Sequence, residues 1–200
     1  SLTNLIEYVE ISTLGDALDF GDLSGDMSAG TGYHGSCATP IRGVFTGGTH
    51  PNSPAGDSVI RSAESIIIAS KGNSTRFGNL TRNRRNDGGG QVSNSTKGLF
   101  WNAVGSTSTG SGIESIIIAS EGNSVVFADQ GLSNESRPAC TSNKTRGVFA
   151  GGYSPAPSST NAIDFVQFST SGQIFDFGDL TESRMSAGGC SDSHGGLGGY

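Results

Sequence analysis

Four acidic residues recur at one position of the chain. Glu7, Glu64, Glu114 and Asp164 each stand near the head of a short apolar run. Carboxylates at regular spacing suit two kinds of chemistry: a ring of them holds a hard cation, and a pair in a cleft cleaves a glycosidic bond. A third role involves no chemistry, each acid accepting hydrogen bonds from a turn or pairing with an arginine such as Arg84, Arg137 or Arg184. A feature shared by every copy of a repeat serves the repeat, so the structural role is the expectation. His34, His50 and His194 occupy unlike positions without ligand spacing, and no Ser-His-Asp or Cys-His arrangement assembles around them. The reading is therefore non-enzymatic: no catalytic residues, no metal and no cofactor.

What positions these groups is a repeat. Gly15, Gly72, Gly122 and Gly172 are separated by 57, 50 and 50 residues, and Phe20, Phe77, Phe127 and Phe177 keep the same spacings. A second block follows each: RGVFTGG at 42–48, KGLFWNA at 97–103, RGVFAGG at 146–152 and a degraded HGGLGGY at 194–200. The units run approximately over 4–48, 61–103, 111–153 and 161–200. Each contains β-branched runs of strand length, a Gly turn beside Asp16, Asn73, Asn123 or Gln173, and no helical period. That makes four short strands in about 50 residues. A four-stranded unit at this period buries its faces against its neighbours, as β-propeller blades do. The expected fold is all-β, one propeller domain over residues 1–200. Cys37, Cys140 and Cys190 fall at one position of the repeat, where the second unit carries Val92. A position that accepts Cys or Val reads as buried, small and apolar rather than as a thiol or metal site with His34 or His194.

Composition excludes several classes. Twelve basic and eighteen acidic residues leave a net charge of −6, which argues against a nucleic-acid partner. No apolar stretch approaches the length of a membrane span, so no membrane insertion is expected. Three cysteines make no disulfide framework. The 32 glycines lack a collagen period. Asp19-Phe20-Gly21 and Asp176-Phe177-Gly178 spell a triplet known from kinase metal sites, but the phosphate loop, strand lysine and catalytic loop are missing, and the triplet reads as a turn. Gly88-Gly89-Gly90 precedes no helix and makes no phosphate cradle. Sequons begin at Asn73, Asn79, Asn94, Asn134 and Asn143, and the run Arg82-Asn83-Arg84-Arg85 reads as a solvated loop, with an anionic sugar or phosphate contact as its alternative.

Read from its basic residue, a unit runs Arg137, Cys140, Gly147-Val148-Phe149-Ala150-Gly151-Gly152, Ile163-Asp164-Phe165, Phe177-Gly178-Asp179-Leu180 and Arg184. This resembles the kelch repeat, with paired glycines closing the second strand and an aromatic near the end of the fourth. It departs by carrying Phe where kelch repeats usually carry Trp, and the second unit replaces the pair with Asn102-Ala103. The strings IDFVQFST, DFGDLT and RGVFAGG also resemble repeats of virion structural and tail-fibre proteins of marine bacteriophages, cyanophages among them. The resemblance implies a four-bladed kelch-like propeller in a virion tail or fibre, facing the outside of the particle. In kelch phasing the chain starts at the third strand of a blade, and segment 184–200 completes the blade begun by 4–24, pairing the N- and C-terminal strands; the competing arrangement is a piece of a longer propeller or fibre. The implied partners are a host cell-surface glycan or receptor and other virion proteins, with a homo-oligomer in the particle. The alternatives are a structural or decoration module that docks other virion proteins, and, behind it, an enzyme acting on polysaccharide.

Binding residues belong where blades differ, because shared positions serve the fold. Three departures stand out. One is the excess loop Thr49–Arg61 with His50, Asn52 and Asp57; the second is Trp101 with Asn102, where other units have Thr46 or Ala150; the third is Tyr33-His34. Aromatic faces beside Asn and Asp suit sugar stacking, and Trp101 alternatively fills core volume that its unit loses elsewhere.

Overall fold

A computed structural model describes residues 2–49, 59–84, 90–101, 112–128, 138–153 and 158–191. The fold is all-β. An N-terminal hairpin pairs β1 (Leu5–Tyr8) with β2 (Leu18–Asp22). Three four-stranded antiparallel sheets follow. The first holds β3 (Gly35–Ala38), β4 (Arg42–Thr46), β5 (Ser62–Ile67) and β6 (Thr75–Asn79). The second holds β7 (Gln91–Ser93), β8 (Lys97–Trp101), β9 (Ile113–Ile117) and β10 (Val125–Ala128). The third holds β11 (Ala139–Ser142), β12 (Arg146–Ala150), β13 (Ala162–Gln167) and β14 (Phe175–Asp179). Within each sheet the strands lie in sequence order, so each sheet joins the second block of one sequence unit to the first block of the next.

The repeated phenylalanine has a specific job. In β1–β2, Ile6 faces Gly21 and Glu7 faces Asp19, which leaves Phe20 as the extra residue of a β-bulge. Phe77, Phe127 and Phe177 occupy the same bulge in the three sheets. A bulged residue leaves the ladder, so its carbonyl is free for another partner. That partner is the glycine turn of the next sheet: Gly72 N–H donates to Phe20 O at 2.8 Å, Gly122 N–H to Phe77 O at 2.9 Å, and Gly172 N–H to Phe127 O at 2.5 Å. Asp19-Phe20-Gly21 and Asp176-Phe177-Gly178 are therefore bulged strand, not turns; the apolar bulge residue makes the triplet, and the period of the flanking residues hides it.

The turns are fixed by small polar side chains. Asn94 Oδ1 accepts from the N–H groups of Thr96 and Lys97, and Asn143 Oδ1 accepts from those of Thr145 and Arg146, closing three-residue links between inner strands. Gly47 and Gly48 have φ of +62° and +107°, and Gly151 and Gly152 repeat +66° and +107°, a left-handed pair that side chains rarely adopt. That is why the second strand ends in paired glycines.

The core lies between sheets. Cys37, Val44, Ala63, Phe77 and Leu80 of the first sheet and its exit pack on Phe100, Ile116 and Ile118 of the second. Val92, Leu99, Trp101, Ile113 and Phe127 of the second pack on Phe149, Val166 and Phe168 of the third. Close approach requires glycine on the receiving side. A Cβ on Gly98 would lie 2.5 Å from Cys37 Sγ, and one on Gly147 would lie 2.5 Å from Val92 Cγ2. The strand register also corrects the cysteine alignment. Cys37 faces Val44 and Val92 faces Leu99, but in the third sheet Thr141 faces Val148, so Cys140 stands one residue earlier, on the other side of its strand. There its Sγ accepts from Gly90 N–H at 3.0 Å.

Candidate functional site

Antiparallel order sorts the connections between two ends of the molecule. At one end lie the links 39–41, 94–96 and 143–145 and the hairpin turns 68–74, 118–124 and 168–174. At the other lie segment 23–34 and the described ends of the connections β4–β5, β6–β7, β8–β9, β10–β11 and β12–β13, whose sequences differ from unit to unit. The tight-turn end repeats itself. The long-connection end does not, and Tyr33 and His34 lie there.

Two of the three departures meet there. Thr49 bridges Gly32 and Val59, so the base of the excess loop pairs directly with the Tyr33-His34 connection. Tyr33 is exposed and holds φ of +56°, a conformation uncommon outside glycine. His34 stands edge-on to Phe45, with ring centroids 5.8 Å apart. Partial burial lowers its pKa from 6.5, and a hydrogen bond with the backbone of Thr31 opposes that shift. His50, Asn52, Asp57 and Asn102 lie outside the described residues.

Trp101 is not a sugar platform. It is 1% exposed, its ring 4.6 Å from that of Phe149, inside the core between the second and third sheets. It ends β8, where alternation points it with Leu99 toward the third sheet, and burial of so large a side chain outweighs any ligand role. Its Nε1 has no hydrogen-bond partner among the described residues.

The acidic position is a bracket between sheets. Glu64 is buried and accepts from Ser24 N–H at 2.8 Å and from the Ser74 hydroxyl. Glu114 accepts from Thr81 N–H at 2.8 Å, from Thr81 Oγ1 at 2.7 Å and from the Ser124 hydroxyl. In both, the acid on the third strand reaches the second residue after the fourth strand of the preceding unit. Asp164 is likewise buried. Glu7 and Thr181, which hold the same positions at the two ends of the row, are exposed. Among the described residues no group of three or more His, Cys, Asp and Glu is placed to hold a metal ion.

Arg84 corrects the solvated-loop reading of its basic run. It is 1% exposed, and its guanidinium lies over the Phe100 ring at 5.5 Å. Burial lowers its pKa to about 10, with the Glu114 charge opposing. Its three nitrogens, like the buried hydroxyl of neighbouring Thr46, have no hydrogen-bond partner among the described residues. The sequence gives no sign of this, since Arg82 and Arg85 beside it read as surface. Arg184, at the same place in the repeat, is exposed and lies 3.7 Å from Glu182; Arg137 lies outside the described residues.

The first strands of the sheets converge on a cavity of about 190 Å³, lined by Ser36 of β3, Gln91 and Ser93 of β7, Thr141 and Ser142 of β11, and segment 189–191. Its walls are mostly hydroxyl and amide. Thr141 Oγ1 donates to Cys190 O at 2.8 Å, which ties that segment to β11. Burial pushes the thiols of Cys37 and Cys140 up to about 12, so both are unreactive at neutral pH. Compared with known proteins, the chain matches no family model and no curated sequence. No helix among the described residues is long and apolar enough to cross a membrane.

Proposed function

We propose that this chain is a four-bladed kelch-like β-propeller of a bacteriophage virion, on the tail or a tail fibre, whose long-connection end binds a host-surface glycan or receptor without catalysis. The observation that carries the reading is the sorting of connections. The strand ends that the variable connections join share one end, and the two departures of the first unit meet there through Thr49. Loops held by a rigid repeat scaffold are where recognition evolves freely. The contacts at Tyr33, His34 and the 49–61 loop are individually weak, and several copies per particle raise avidity without new contacts. Four blades are supported by the cavity that first strands of three sheets and segment 189–191 surround together, as inner strands surround a propeller axis. In that ring the N-terminal hairpin forms the outer half of the fourth blade.

A second reading is a module that docks other virion proteins. It is favoured by exposed isoleucines toward the tight-turn end, Ile41, Ile67 and Ile117. Labelled protein, displayed in multiple copies, is applied to a bacterial panel that includes marine cyanobacteria, with and without surface polysaccharide. Saturable binding lost on stripping the polysaccharide supports the glycan reading; binding that survives stripping points to a protein receptor. No binding to any strain overturns host recognition in favour of docking within the virion.

A further inference from the structure

The seam between the first and second sheets holds a cation that no described residue bonds. Arg84 is 1% exposed and Thr46 is fully buried, and neither the three guanidinium nitrogens nor Thr46 Oγ1 has a hydrogen-bond partner among the described residues. Burial lowers the Arg84 pKa to about 10, so the group still carries its charge at neutral pH. A buried guanidinium with its N–H donors unmatched is costly, and proteins meet that cost with acceptor oxygens or a counter-ion. Glu114 supplies charge but no bond, because its oxygens accept from Thr81 and Ser124.

The backbone fixes where this arginine stands. Arg84 N–H donates to Ile60 O at 3.1 Å, and its carbonyl accepts from Gly48 N–H at 2.8 Å. Arg184 repeats both bonds in the third sheet, to Thr160 O at 3.2 Å and from Gly152 N–H at 2.8 Å. The side chains part from there. Arg184 is exposed beside Glu182, and the second strand of its sheet ends in Ala150. Arg84 turns into the seam, its Cγ 2.7 Å from where a Cβ on Gly47 would lie and its guanidinium over Phe100. Here the second strand ends in Thr46, on the side of β4 from which Val44 joins the cluster around Phe100. A hydroxyl accompanies the buried arginine, and a methyl group the exposed one.

We propose that Arg84 and Thr46 form a binding site for a carboxylate at the long-connection end of the first seam. The planar fork of a guanidinium matches the two oxygens of a carboxylate, and the Thr46 hydroxyl supplies a further donor. The Glu114 charge opposes additional negative charge there, which favours a monovalent carboxylate over sulfate or a phosphate dianion. Two sources have this chemistry: a free small acid, and the uronic acid residue of a polysaccharide. The site stands whether or not this end of the molecule meets a host.

Titration tests the site. Sodium acetate, methyl α-glucuronide, methyl α-glucoside and sodium sulfate are each added at constant ionic strength. Binding is read from the Arg84 Nε–H resonance by NMR, assigned by its loss from Arg84→Met and from Arg84→Lys, and from Tm. The expected result is a saturable shift of that resonance with acetate. Tm rises by about 3–6 °C at ten times the dissociation constant, an effect that Arg184→Met keeps and Arg84→Met loses. Thr46→Val, which keeps the arginine and the volume, binds acetate about tenfold more weakly. Glucuronide that shifts the resonance where glucoside does not assigns the site to a polysaccharide acid; a shift with acetate alone assigns it to a free small acid. Sulfate stabilises proteins generally, so its effect is equal in the unaltered protein and the variants. An Arg84 resonance that no carboxylate moves overturns the site, as does equal acetate dependence of the unaltered protein and Arg84→Met. Saturation by sulfate in preference to acetate overturns the carboxylate assignment. If Arg84→Met fails to fold by circular dichroism, Thr46→Val decides, and unchanged acetate affinity there overturns the pairing of Arg84 with Thr46.

Discussion

Removing the Glu114 carboxylate tests the seam account most stringently among single substitutions. In Glu114→Ala, Thr81 N–H, Thr81 Oγ1 and Ser124 Oγ lose their shared acceptor. Hydrogen bonds to a charged group contribute roughly 1.5–3 kcal/mol each, so three give an upper bound of about 4.5–9 kcal/mol. Water reaches Thr81, which is exposed, and recovers part of this. Arg84, fully buried, loses its stabilising neighbour, which adds to the cost. The expected loss is about 3–5 kcal/mol, equivalent to roughly 10 °C in Tm for a domain of this size. Urea unfolding followed by circular dichroism measures it, with Glu121→Ala as the reference. Glu121 is exposed and 3.9 Å from Arg42, a surface pair worth less than about 1 kcal/mol. Glu114→Gln keeps one acceptor oxygen and falls between the two. A loss below about 1 kcal/mol for Glu114→Ala, or one no larger than that of Glu121→Ala, refutes the bracket.

Three further outcomes follow from the same structure. Gly98→Ala places a methyl against Cys37 Sγ and costs about 1–3 kcal/mol, most of which Cys37→Ala restores in the double variant; additive losses in that cycle would show that the two residues do not touch. Trp101→Ala lowers stability by about 3–5 kcal/mol, and the native emission is blue-shifted because the single indole is buried; a red-shifted native spectrum would contradict that burial. His34 has its pKa lowered from 6.5, so below that pH the unfolded chain takes up its proton first, and stability falls as pH drops from about 6.5 toward the folded value. Thermal scans from pH 5 to 8 show this fall in the unaltered protein and a flatter profile in His34→Asn; identical profiles would remove His34 as the cause.

The repeat made much of this fold legible. Strand content, the glycine turns and the structural role of the acidic position follow from columns of residues that agree across units. Three features escaped for identifiable reasons. The phenylalanine bulge adds one residue to a strand without changing its apolar character, so Asp19-Phe20-Gly21 looks like a turn. Cys140 aligns with Cys37 by identity, while the ladder aligns Thr141, because register is set by the Asn143 link and not by residue type. Trp101 and Arg84 are buried by partners from neighbouring sheets, and single-residue character at a sheet end does not say which side of the seam it faces. Among the proposed binding residues, Tyr33 and His34 were placed at the variable end because their connection departs from the other units, and the pairing of that connection with the 49–61 loop needed the structure.

The central claim is that one end of this scaffold meets the host. Two variants decide it, each displayed multivalently on beads against the strain that binds the unaltered protein best. One carries Tyr33→Ala, His34→Ala and a Gly-Ser replacement of 50–58; the other carries Ile41→Ser, Ile67→Thr and Ile117→Thr toward the tight-turn end. The account predicts at least a tenfold loss of cell binding for the first and an unchanged level for the second, with both folded by circular dichroism. Unchanged binding for the first, or loss confined to the second, contradicts it.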